Sequence, residues 1–167
     1  MLILGSFPSV ASLEKGEYYG NVRNHSWAIA AALLGTELPP DYAGRVGMLA
    51  RAEIAVWDVI ASCEREGSLD QAIRDEEAND IAGFLAARSS IVRVALNGGK
   101  AADSFCKTIA PELPASLRIG EAVEWRPSAL PGRSLLVARL PSTSPVPTRD
   151  YRCARDKLGA WKAFLVP

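Results

Sequence analysis

The sequence predicts an α/β sandwich built on a central, mostly parallel sheet, and three observations carry that prediction. Met1 to Leu4, Ile54 to Ile60, Ile91 to Leu96 and Ser134 to Leu140 are short apolar runs rich in Val, Ile and Leu. Their length and continuity suit strands buried on both faces of a parallel sheet. Stretches with helical apolar spacing lie between them, so strand and helix alternate, and right-handed crossovers put helices on both faces of the sheet.

Taken in order, the first run ends at Gly5, and helical patterns then cover Trp27 to Leu34 and Asp41 to Arg51. A long helix is predicted from Ser68 to Ala87 after the second run, another from Lys100 to Ile109 after the third, and one from Arg149 to Phe164 after the fourth. Glu121 to Trp125 is a candidate edge strand, while Pro111 to Pro114 and Ser128 to Arg133 read as surface loops. No internal repeat, low-complexity tract or linker divides the chain, and 167 residues is the size of a single domain.

Composition removes several chemistries. Nineteen Lys and Arg balance nineteen Asp and Glu, so a polyanion partner must be gripped locally rather than by the field of the whole molecule. Cys63, Cys106 and Cys153 stand far apart without a C-x-x-C pair, which argues against structural zinc and four-cysteine iron–sulfur clusters and for reduced thiols. His25 is the only histidine, so a multi-histidine metal centre is impossible and metal-free chemistry is expected. No apolar run approaches the ~20 residues of a membrane span, and the first residues lack a signal-peptide pattern. A cytoplasmic protein is the expectation.

In an open parallel sheet, ligands bind beyond the carboxyl ends of the strands. The segments that follow the apolar runs therefore hold the functional information. They are Gly5-Ser6-Phe7-Pro8-Ser9, Trp57-Asp58, Asn97-Gly98-Gly99-Lys100 and Leu140-Pro141-Ser142-Thr143-Ser144-Pro145.

The first and last of these, together with Tyr18-Tyr19-Gly20-Asn21-Val22-Arg23-Asn24-His25-Ser26-Trp27, resemble the signature blocks of the hypoxanthine-DNA glycosylases, family 6 of the uracil-DNA glycosylase superfamily. Trp57 to Asp70 is similar as well, and the likeness covers nearly the whole chain. It implies one uracil-DNA glycosylase-like domain over 1–167, a three-layer α/β/α sandwich with a central four-stranded mostly parallel sheet. It also implies a monofunctional enzyme that uses water and no cofactor to cut the bond between deoxyribose and a deaminated base: hypoxanthine, with uracil and xanthine as further candidates. DNA is the implied partner, and a monomer suits a protein that must lie along a duplex. The family pattern has proline where Val22 stands, phenylalanine where Ser26 stands and Pro-Ala-Asn where Pro145-Val146-Pro147 stands. Leu140 occupies the place where distant uracil enzymes carry a histidine that stabilises the departing base.

Such chemistry requires a pocket for an extruded base and a wedge for the gap it leaves. Asn97 closes the third strand. Its carboxamide offers a donor and an acceptor side by side, matching the carbonyl and ring N–H of hypoxanthine or uracil but not adenine or cytosine. Asn97-Gly98 is equally a turn dipeptide. The resemblance assigns Asn24 to holding the attacking water beneath an anomeric carbon with oxocarbenium character, and the same residue is well placed to cap the following helix. Asp58 is a second catalytic candidate, or a helix cap, or a partner of Arg23. Tyr19 and then Phe7 are candidates for stacking on the base, Gly5 and Ser6 for binding it, and the backbone amides of the Gly5 to Ser9 loop for assisting its departure. Ser142, Thr143, Ser144 and Pro145 form a stiff loop suited to pressing on DNA, with Arg149 and Lys100 as phosphate contacts. Two rivals remain: a non-catalytic binder of damaged DNA, and a serine hydrolase using Ser142 or Ser144 with His25, which lacks the Gly-x-Ser-x-Gly elbow. Mononucleotide binding at Gly98-Gly99-Lys100 lacks the spacing of a P-loop.

Overall fold

The first apolar run becomes strand β1 (Leu2–Gly5), and every one of its four residues is buried. The computed structural model describes residues 1–165, so the last two residues of the expected 1–167 domain lie outside the described residues. Four strands are parallel: β2 (Ala55–Asp58), β1, β5 (Arg93–Asn97) and β7 (Leu135–Leu140), in that spatial order. The candidate edge strand is β6 (Ala122–Trp125), which pairs antiparallel with β7 and makes the sheet five-stranded rather than four-stranded.

Alternation along each strand sorts the core into two layers. Leu2, Leu4, Val94, Leu96 and Val137 pack with Ile81 and Leu85 of α4 (Ile81–Ala86) and Phe105 of α5 (Gly99–Thr108). On the opposite face, Ile3, Ala95, Ala138 and Leu140 meet Ile29 of α2 (Ser26–Leu34) and Trp161 and Phe164 of α6 (Ala154–Leu165). A satellite cluster joins Trp27 and Ala31 of α2 to Met48 and Leu49 of α3 (Tyr42–Arg51). The sandwich is thus three-layered.

Helix ends follow local chemistry. Asp41 caps α3 through Gly44 N–H at 2.6 Å, and Gly35 closes α2 in the left-handed conformation, φ 63°. The short α1 (Val10–Lys15), which apolar spacing alone does not announce, is capped by Ser9 and closed by Gly16.

The long helix expected over 68–87 does not form. Its first part is a strap: Ser68 Oγ accepts from Val10 N–H at 3.0 Å and Asp70 accepts from Ser6 Oγ at 2.7 Å. Its middle is β4 (Arg74–Ala78), paired antiparallel with β3 (Ile60–Glu64) in a separate two-stranded sheet. Only α4 remains helical, carried by Ile81, Phe84 and Leu85. Helix-forming residues such as Glu76 and Glu77 yield here to cross-strand pairing, a tertiary override of local propensity. The second apolar run likewise splits at Val59, so that one half ends the main sheet and the other begins the hairpin. The last helix starts at Ala154 rather than Arg149, where Asp156 accepts from the N–H groups of Arg152 and Cys153. No helix of the described residues is long and apolar enough to cross a membrane.

Candidate active site

Gly5, Asp58 and Asn97 end their strands in register, Gly5 opposite Asp58 and one step past the Leu4–Leu96 pair. Each lies two residues after an inward residue of the α2/α6 face (Ile3, Val56 and Ala95), so all three face that layer. A Cβ on Gly5 would collide with Oδ1 of Asp58, hence the carboxylate lies over the glycine. Strands two apart are separated by about 10 Å, and Asp58 and Asn97 therefore flank a glycine-floored gap of that width. Both are buried.

Asp58 has its carboxyl pushed up to about 7, first by burial and then by the neighbouring Asp70 carboxylate, with Arg65 working in the opposite direction. The Asp70 charge is held near by the Ser6 bond. Asn79 Nδ2 donates to the Asp58 carbonyl at 2.9 Å, which secures the end of β2.

Asn97 is bonded at both ends of its amide. Nδ2 donates to the Tyr19 hydroxyl at 3.0 Å and to Thr143 Oγ1 at 2.9 Å, and Oδ1 accepts from Thr143 N–H at 2.9 Å. Tyr19 reaches it from a left-handed backbone, φ 53°, with its ring edge-on to Trp27 at 6.0 Å and tilted against Tyr18 at 6.5 Å. Burial, and secondarily Asp58, hold the Tyr19 phenol protonated well beyond the usual tyrosine range. Phe7 lies apart from this group under the Arg65 guanidinium, 5.1 Å from its ring centre, and Arg65 also donates to Pro8 O at 2.6 Å.

Asn24 stands before α2 with Oδ1 accepting from Ser26 N–H at 2.9 Å. The cap position expected of Asn24 is instead taken by His25, so this bond is a turn leading into the helix; it leaves the oxygen a second lone pair and the amide its donors. The Asn24 turn and the last loop are stitched together by His25 N–H donating to Thr143 O at 2.9 Å.

The polar groups proposed for DNA fall into two sets. Thr143 is 2% exposed, with its amide, hydroxyl and carbonyl all used inside the protein, so it builds the loop rather than presenting itself. Lys100 is paired with Glu76 of β4, whose carboxylate also accepts from Ser104 Oγ at 3.2 Å; that ion pair occupies its ammonium. Ser142 Oγ accepts from Ser144 N–H at 3.2 Å, and Ser144 Oγ from Val146 N–H at 3.3 Å. Arg149 and Pro145 sit on the outer part of the loop, Arg149 exposed and Pro145 partly so. His25 Nδ1 faces Lys157 Nζ at 3.1 Å instead of either serine, which removes the hydrogen bond that a serine hydrolase needs.

Beneath Tyr19 and Asn97 a cavity of about 180 Å³ separates α2 from the sheet, walled by Ile3, Val56, Trp27, Ile29, Leu33 and Trp161. The Ser26 hydroxyl is buried at its upper end without a hydrogen-bond partner among the described residues. Sequence reasoning also missed Lys157, which is buried beneath the loop that follows β7. The apolar spacing of Ala154, Leu158, Trp161 and Leu165 was the available signal, since Lys157 lies one helical turn before Trp161.

No family model matches the chain. Hypoxanthine DNA glycosylases of Methanosarcina acetivorans and Methanosarcina barkeri are 38% and 35% identical to it over 104 residues, 62% of this chain. The aligned segment spans 66% of each relative, just under two thirds of their length. The solution NMR structure of a "putative Uracil DNA glycosylase" from Methanosarcina acetivorans superposes with a TM-score of 0.71 at 28% identity, covering 98% of this chain and 87% of that one. The fold is that of the uracil-DNA glycosylase superfamily. Within it, the chain is similar to the hypoxanthine DNA glycosylases over the aligned 104 residues.

Proposed function

We propose that this protein is a monofunctional DNA glycosylase that removes deaminated bases, hypoxanthine first, by flipping the nucleotide and directing water at its sugar. The observation that carries the reading is the pair Asp58 and Asn97, two buried polar side chains flanking a glycine at the strand tips. A buried polar group at a cleft is costly unless a partner satisfies it, about 1–3 kcal/mol. The Asp58 carboxyl makes no hydrogen bond among the described residues, and the polar edge of a planar base supplies a complementary group there, as it does for Asn97 in exchange for its internal partners. Support also comes from the names of the relatives.

In this reading, Asn97 presents its amide to the base once the Tyr19 hydroxyl gives way, while Tyr19 and Phe7 supply aromatic surface. Asp58 acts as the second polar group on the opposite strand. The remaining lone pair of Asn24 Oδ1 orients water under the anomeric carbon; a departing base leaves cationic character on the sugar, so positioning serves without a strong base. Ser142, Ser144 and Pro145 press on the duplex on a loop that Thr143 braces from inside, and Arg149 meets its backbone. A cytoplasmic monomer acting without metal or cofactor goes with this chemistry.

Incubation with duplexes holding a single deoxyinosine, deoxyuridine or deoxyxanthosine, followed by alkaline scission, tests it. Strand breaks at deoxyinosine are expected, and no abasic product from any substrate rejects the activity. A non-catalytic binder of damaged DNA is the second reading, favoured by the Asn97 amide being satisfied within the chain. Salt-dependent duplex binding without base release under single-turnover conditions selects it.

A further inference from the structure

Lys157 is 2% exposed on α6. Its Nζ donates to Ser144 O at 2.7 Å and stands 3.1 Å from His25 Nδ1. Among the described residues the ion pairs are Lys100 with Glu76 and Arg126 with Glu124, so this buried ammonium has no carboxylate partner. Asp156, next to it on the helix, is turned to the N–H groups of Arg152 and Cys153. A positive charge is thus lodged beneath the loop that follows β7.

An ammonium only donates. Nδ1 of His25 must therefore offer its lone pair to Lys157, which puts the ring proton on Nε2, and the adjacent charge opposes a second proton. The residue's own N–H is fixed by Thr143 O at 2.9 Å. His25 is thereby a neutral donor of set orientation, partly exposed, next to Asn24 and backed by an unneutralised cation. An anion approaching from solvent completes that arrangement, and a phosphodiester is the anion a duplex brings.

We propose that His25 Nε2–H binds a DNA backbone phosphate beside the extruded nucleotide, with Lys157 as the positioning residue that holds the ring in this tautomer. The proposal rests on the DNA reading above. Because His25 is the only histidine, the imidazole ¹⁵N spectrum reports on it alone. The free protein should show the Nε2–H pattern at neutral pH, and Lys157→Met, which preserves the length and packing of the stem, should lose that preference. An Nδ1–H pattern in the wild type, or an unchanged pattern in Lys157→Met, overturns the positioning role.

His25 caps α2 without a side-chain bond, so His25→Ala leaves the helix start intact. Its affinity for an undamaged duplex should fall about tenfold with the slope of log affinity against log salt unchanged, as befits a neutral contact. Unchanged affinity overturns the phosphate contact, and a slope smaller by about 0.9 overturns the neutral tautomer. Undamaged DNA keeps this separate from catalysis: binding that responds to His25→Ala in a protein releasing no base would sink the glycosylase reading and leave the contact standing.

Discussion

Asn24 is the side chain at which a local bond and the proposed chemistry meet. Its oxygen starts α2 through Ser26 N–H, and the same oxygen has the capacity to hold water. Asn24→Ala is expected to lower single-turnover base release on the order of 100-fold, with duplex affinity changed less than about threefold and stability by about 1 kcal/mol. Equal losses of release and binding would reduce Asn24 to a structural residue of the turn that enters α2. Single positions were legible where residue type and strand end coincided, as at Gly5, Asp58 and Asn97. What could not be read was partnership. Nothing local announces that Asn97 spends its amide on Thr143 and Tyr19, residues 46 and 78 positions away, or that Lys100 is taken by Glu76.

At the scale of elements, continuous apolar runs located all four parallel strands because burial on both faces leaves an unmistakable pattern. The β3–β4 hairpin escaped because its strands are mostly exposed, so neither period nor burial marks them. It is nevertheless tied to the main body, through the Ser6–Asp70 bond at one end and the Glu76–Lys100 pair at α5. Glu76→Gln keeps an acceptor for Ser104 but removes the charge. It should cost less than about 1 kcal/mol of global stability, while amide exchange within β4 accelerates. Unaltered exchange there would mean that the pair does not anchor the hairpin. Helix α6 was legible as a helix, whereas the burial of Lys157 beside its apolar stripe was not.

Across the whole molecule, the zero net charge leaves individual buried charges to shape the pH dependence of stability. Asp58 is pushed from the ordinary 3.8 of an aspartate up to about 7 by burial and Asp70. A raised carboxyl binds its proton more tightly in the folded chain, so the stability this provides is complete below about pH 4 and is lost as pH climbs through about 7. Urea midpoints of the wild type should accordingly decline across that window, and Asp58→Asn should flatten the decline. A variant that tracks the wild type would show that Asp58 titrates as an ordinary surface carboxyl.

The hollow between α2 and the sheet has a mechanical consequence. Empty volume is surrendered when a chain unfolds, so hydrostatic compression acts against a fold in proportion to the space it encloses. The part of the cavity of about 180 Å³ under α2 that stays closed to solvent is the space such compression would act on. Ala30→Leu, which grows a side chain into that space, should raise the pressure needed to denature the protein more than it raises resistance to urea. That cavity lies under α2, the helix that follows Asn24 and His25.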